Sequence, residues 1–160
     1  MRLTILAIGR LKSGPEQELC ARYLDRLAKT GLSVGLDYAG LSEFPESRGP
    51  TAAERKRDEA TRLADALPDR AALIVLDERG RDLATADLSE RLARLRDDGP
   101  RDLALVIGGP DGLDDSLRQR AELVLSFGRL TWPHQLVRVM LAEQLYRVVT
   151  VLSGHPYHRE

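Results

Sequence analysis

Leu103-Ala104-Leu105-Val106-Ile107-Gly108-Gly109-Pro110-Asp111-Gly112 is an unbroken apolar run that stops on two glycines and a proline-containing turn. Such a run, bounded by turn residues, reads as a strand covered on both faces. Leu73-Ile74-Val75-Leu76 repeats the pattern and ends at Asp77, and Leu3 to Ile8 forms a third buried strand. Between them lie helical periodicities. Pro15 opens a helix that carries Leu19, Tyr23, Leu24 and Leu27 and stops before Gly31. Thr51, with Glu54 three positions on, has the form of a capping box at the start of another. A third is expected around Ala86 to Arg96. Ser33 to Tyr38, alternating through Val34, Leu36 and Tyr38, reads as a half-buried strand, and Glu122 to Ser126 as the last one. Gly40 to Pro50 has loop composition.

This rhythm predicts an α/β fold: one small domain over residues 1–160, with a mostly parallel sheet and helices on both faces. The chain shows no linker, repeat or low-complexity segment, and no apolar run long enough to span a bilayer. Its start lacks the cleavage site of a signal peptide. The single cysteine, Cys20, lies in a helical pattern and reads as a packing residue in a reducing compartment, so a cytoplasmic location is expected. A formal net charge of −1 weighs against a broad nucleic-acid surface, so any RNA contact must be a local patch.

In open α/β sheets, ligands bind beyond the carboxyl ends of the strands. Gly108 and Gly109 permit close approach of a ligand to bare backbone there, although a plain strand-to-helix turn is an equal reading of these residues alone. Neither phosphate-loop glycine pattern is present. Leu76-Asp77 and the stretch Gly128 to Pro133 end two further strands, and three loops on one edge make a pocket.

Residues 129–160 hold all three histidines, the only tryptophan and two of the four tyrosines. The final helix is expected from about Pro133 to Leu152, with Pro133 in its first turn. Val137, Leu141, Leu145, Val148 and Leu152 form one apolar face, and Leu136, Met140 and Val151 another. A helix apolar nearly all round is buried on more than one side, so contact with the core and with a second subunit is expected. Glu143, Arg147 and Thr150 share a polar stripe, with Glu143 and Arg147 spaced for an i,i+4 pair. Arg138, at the edge of the first apolar face, is either a site ligand or half of a structural ion pair. His155 and His158 have His-x-x-His spacing, but no further ligands complete a zinc site, so no metal is expected. Arg159 and the imidazoles suit phosphate or base contacts.

Four motifs together, Leu-Val-Ile-Gly-Gly-Pro-Asp-Gly at 105–112, Leu-Thr-Trp-Pro-His-Gln-Leu-Val-Arg-Val at 130–139, Glu-Gln-Leu-Tyr-Arg at 143–147 and His-Pro-Tyr-His-Arg-Glu at 155–160, closely resemble one family along the whole chain. It is the ribosomal RNA large subunit methyltransferase H family, SPOUT-class enzymes that methylate N3 of a pseudouridine in 23S ribosomal RNA. The resemblance implies S-adenosylmethionine as methyl donor, a C-terminal trefoil knot and a homodimer acting on ribosomes. Periodicity alone would not reach the knot, since threaded chains are rare. By resemblance the donor is held by Leu76, Gly108, Gly109, Gly128, Arg129, Leu130, Thr131, Trp132 and Pro133. Trp132 stands where the family often has a smaller apolar residue, which reshapes the expected adenine pocket without abolishing it. The catalytic base is not identified. Candidates for contact with the target nucleotide are His155, Tyr157, His158 and Arg159, with His134 or Arg138 orienting the site. A non-catalytic ribosome-binding dimer with a vestigial donor pocket stays open as an alternative, as does a small-molecule methyltransferase.

Overall fold

The computed structural model describes residues 1–157. Five strands form one parallel sheet: β1 (Arg2–Ile8), β2 (Asp37–Phe44), β3 (Ala72–Asp82), β4 (Asp102–Ile107) and β5 (Leu123–Ser126), in the order β2-β1-β4-β3-β5. The helices are α1 (Pro15–Thr30), α2 (Ala52–Ala66), α3 (Thr85–Asp98), α4 (Asp115–Arg120) and α5 (His134–Leu152).

The apolar runs are continuous because each inner strand feeds two cores. Leu3, Ile5, Ala7, Ile74, Leu103, Leu105 and Ile107 face a cluster shared with α1, α3 and α5. Leu6, Ile8, Leu73, Val75, Ala104 and Val106 face a second cluster with Ala60 and Leu63 of α2 and Leu117 of α4. Helices therefore cover both faces, as the rhythm predicted. α5 packs against α1 and α3. Cys20 is buried and takes part in this packing.

The capping box at Thr51 is present: its hydroxyl accepts from the Glu54 N–H at 3.2 Å, and its own N–H donates to the Glu54 carboxylate at 3.1 Å. Such a cap is worth about 1 kcal/mol.

Five local readings change. The second strand begins at Asp37, not Ser33, because Gly31–Val34 tightens into a 3-10 turn closed by Gly35 at φ +75°. It then runs to Phe44, through residues read as loop, since an edge strand paired only with β1 can stay half-exposed and polar. β3 continues past Asp77 to Asp82 after a register shift between Leu76 and Arg81. The six-residue α4 is too short to show a period, and Asp114 caps it by accepting from the Ser116 N–H at 3.0 Å. Finally, Pro133 is the N-cap of α5 and not a residue of its first turn.

On α5, Leu141, Leu145 and Val148 are fully buried, whereas Leu136 of the second apolar face is 39% exposed. Thr150, expected on the polar stripe, is buried and donates its hydroxyl hydrogen to the Arg147 carbonyl at 2.7 Å.

Candidate functional site

All five strands are parallel, so their carboxyl ends share one edge. The loops after β4 and β5 meet the bulge of β3 there, around a cavity of about 250 Å³. Of the residues expected to hold a donor, Leu76, Gly108, Gly109, Gly128, Leu130, Thr131 and Trp132 line it. Arg129 and Pro133 belong to the same connection but do not face the cavity. His134, the first residue of α5, also lines it. Ile107, Leu125, Phe127 and Val137 supply further apolar wall.

The loops are held rigidly. The Gly112 N–H donates to the Gly109 carbonyl at 2.9 Å, closing the turn read in Pro110-Asp111-Gly112, and Gly112 takes φ +84°. Arg55 of α2 grips this turn with two bonds to the Asp111 carboxylate, at 2.7 and 3.1 Å, which hold that carboxyl below its ordinary range. On the other side, Ser126 Oγ donates to the Gly128 carbonyl at 2.9 Å and accepts from its N–H at 3.2 Å. The Trp132 indole N–H donates to the Phe127 carbonyl at 3.3 Å. In the bulge, the buried Asp77 carboxylate accepts from the Arg79 backbone N–H and from Arg118 of α4, both at 2.9 Å.

Gly109 needs to be glycine for lack of space. A Cβ there would stand 2.7 Å from Glu59 Oε2 and 3.0 Å from Ile8 Cγ2. Glu59 is a buried carboxyl on α2 that accepts from the Ser47 N–H at 2.9 Å. Burial pushes its pKa up, the Ser47 bond partly opposes this, and the nearby Asp111 and Glu46 charges add to the rise. A carboxyl so placed leaves no room for a side chain at Gly109.

Arg138 is buried, side chain included. It pairs with Glu43 at the end of β2 and donates to the Ile8 and Gly9 carbonyls, each at 2.7 Å. Of the two readings of Arg138, the structure provides the ion pair. His134 is half-buried, and desolvation together with the Arg138 charge lowers its pKa, only partly offset by Glu46. The neutral imidazole is therefore the favoured form.

The described part of the tail does not enter this cavity. The Tyr157 hydroxyl donates to Glu143 Oε1 at 3.2 Å, its ring lies 4.9 Å from that of Tyr146, and the Arg147 guanidinium stacks 5.0 Å above it. Glu143 in turn holds Arg147 at 2.9 Å, the expected i,i+4 pair. At about 1.5 Å per helical residue, Glu143 is on the order of 14 Å along α5 from His134. His155 is exposed, and its Nδ1 accepts from the Tyr157 N–H at 3.1 Å. His158 and Arg159 lie outside the described residues. Among the described residues, no group of three or more His, Cys, Asp or Glu is placed to hold a metal ion, and no helix is long and apolar enough to cross a membrane.

Sequence reasoning missed Glu59, the Arg55–Asp111 grip, and the projection of Glu78 and Arg79 into the cavity. One signal was available for Glu59. It is four residues before Leu63 and adjacent to Ala60, on the apolar stripe of α2, where an acid is unexpected.

A family model described as predicted SPOUT methyltransferase matches residues 1–158. The chain is 57% identical over 159 residues to a Brucella anthropi protein named ribosomal RNA large subunit methyltransferase H, covering 99% of each. It is 58% identical to the protein of that name from Mesorhizobium japonicum, again over 99% of each chain. The chain therefore belongs to the SPOUT methyltransferase family, with the ribosomal RNA large subunit methyltransferase H proteins as its relatives.

Proposed function

We propose that the protein is an S-adenosylmethionine-dependent methyltransferase that modifies N3 of a pseudouridine in 23S ribosomal RNA on assembled ribosomes, in the cytoplasm. The observation that carries this reading is the cavity at the carboxyl edge of the sheet, where three loops surround the tightly packed Gly108-Gly109 turn. The residues fit the donor. Leu76, Ile107, Phe127 and Trp132 offer apolar and aromatic wall for an adenine, and the turns around Gly109 and Gly128 offer backbone polar groups. The names of the relatives support ribosomal RNA as acceptor.

When bound, the donor supplies an electrophilic sulfonium methyl group. Methylation at N3 would require the N3 proton of the acceptor to pass to a base. The chain's part is to hold the two reactants in line, which can provide several kcal/mol of the acceleration. His134, which lines the cavity and whose neutral form is favoured, is suited to orient the target base or receive its proton. Arg138 acts through position: it fixes the Ile8-Gly9 backbone one strand away from the glycine turn.

We also propose a homodimer and the C-terminal knot. A hollow of about 330 Å³ between α1 and α5, lined by Leu19, Tyr23, Val139 and Met140, supports burial of this face by a second copy. The separation between Tyr157 and its own chain's cavity supports a tail that serves the partner's site. The return of the chain from edge strand β5 to α5, packed on α1 and α3, supports the knot.

The test is incubation with methyl-labelled S-adenosylmethionine and ribosomes lacking the modification, followed by mapping of the label by mass spectrometry. Label on N3 of one large-subunit pseudouridine is expected. Donor binding without transfer would mean a different acceptor, including a small molecule. Neither binding nor transfer would favour the non-catalytic docking dimer. Removal of residues 157–160 should abolish transfer and leave donor binding intact.

A further inference from the structure

The cavity is framed by loops of β3, β4 and β5, which leaves the two other strand-end loops on the same edge without an assigned partner. These follow β1 and β2, which are adjacent in the sheet. They carry Arg10, Lys12 and Arg48, all exposed and none within 4 Å of a carboxylate or engaged in a side-chain hydrogen bond among the described residues. On α3, by contrast, Arg91, Arg94 and Arg96 each pair with a carboxylate.

The backbone beneath these cations is unusually well held. The Gly9 N–H donates to the Phe44 carbonyl at 2.7 Å, and the Leu11 N–H donates to Glu43 Oε1 at 2.9 Å. Arg138 binds the Ile8 and Gly9 carbonyls at 2.7 Å. In the loop after β2, Glu59 accepts from the Ser47 N–H at 2.9 Å, Arg55 donates to the Gly49 carbonyl at 3.0 Å and Arg62 donates to the Pro45 carbonyl at 2.8 Å. Glu43 is committed to Arg138, and Glu46 is exposed, with its Oε1 within 3.3 Å of where a Gly9 Cβ would stand. Well-bonded loops that carry three solvent-facing cations against one exposed carboxylate, Glu46, form an anion-binding rim of net positive charge. A chain of net charge −1 places its local positive charge beside the cavity.

We infer that Arg10, Lys12 and Arg48 bind the phosphate backbone of the acceptor RNA on the β1/β2 side of the cavity, while the donor occupies the β3/β4/β5 side. The inference rests on the proposed function only for RNA as the polyanion. Contacts of this kind fix position and orientation without reading sequence. Each phosphate contact also contributes about 0.7 to 0.9 to the slope of log affinity against log salt concentration.

The test compares two triple variants on purified large ribosomal subunits lacking the modification. One is Arg10→Gln, Lys12→Gln, Arg48→Gln. The control, Arg70→Gln, Arg101→Gln, Arg120→Gln, removes the same charge from exposed residues that precede β3, β4 and β5, on the opposite edge. Binding is measured across a potassium chloride series, and donor affinity is measured separately. The rim variant should bind subunits at least tenfold more weakly, with a salt slope shallower by about 2 to 3, and keep its donor affinity. The control should stay within about threefold of wild type. Equal losses in the two variants, no loss in the rim variant, or no binding by the wild type would each overturn the inference. Wild-type binding through the rim without methyl transfer would leave it standing and overturn the methylation reading instead.

Discussion

Arg138 of α5 and Glu43 at the end of β2, 95 residues apart in sequence, form an ion pair at the carboxyl edge of the sheet. The pair joins the last helix to the first two strands, because Arg138 also holds the Ile8 and Gly9 carbonyls. Burial pulls the guanidinium pKa down and Glu43 pushes it back up. One polar atom, Arg138 Nε, is buried without a partner, so the pair is already costly to bury.

Removing one side of this pair should therefore be severe. Arg138→Met leaves Glu43 and two backbone carbonyls without their donor, and a loss of about 3–5 kcal/mol is expected from urea denaturation. Arg138→Lys should recover only part of it, since one ammonium cannot reproduce the fork. Equal stability of Arg138→Met and wild type would remove the structural role assigned here.

Glu59 yields a pH prediction. Its folded-state pKa is raised above the ordinary glutamate value, so the native state favours the protonated form. That contribution is fully present below the unfolded pKa and is lost as pH rises through the folded value. Glu59→Gln should thus gain stability relative to wild type as pH increases from about 4 to 8. Melting temperatures across that range check this, and a difference independent of pH would show that burial does not govern the carboxyl.

For His134 the sign is reversed. A pKa lowered below the ordinary histidine value means the native state disfavours protonation, so stability is present above the unfolded pKa and lost as pH falls through the folded one. His134→Gln should flatten the decline of melting temperature on the acid side of about pH 6.5. An NMR titration of the imidazole at or above its ordinary pKa would contradict the environment described.

β1, β3 and β4 were legible in sequence because strands covered on both faces need uninterrupted apolar side chains. β2 was legible only at Asp37 and Tyr38, because an edge strand with one neighbour tolerates Ser42, Glu43 and an exposed Ala39. The glycine turn and the stretch after β5 carry local signals, and both lie along one cavity. The β3 bulge, Glu59 and the Arg138–Glu43 pair depend on partners far away in sequence, which no local pattern records. The tail shows the same limit: its aromatic density was visible, but Tyr157 packing on Tyr146 and Glu143 was not.

The most direct measurement is titration of S-adenosylmethionine into the protein, followed by fluorescence of Trp132, the chain's single tryptophan, which lines the cavity. A saturable change in emission is expected for wild type. Binding should be at least tenfold weaker for Gly109→Ala, whose Cβ would collide with Glu59 and Ile8 and displace the turn. A folded wild-type protein that does not bind the donor, or a Gly109→Ala variant with unchanged affinity, would contradict the assignment of this cavity as the donor site.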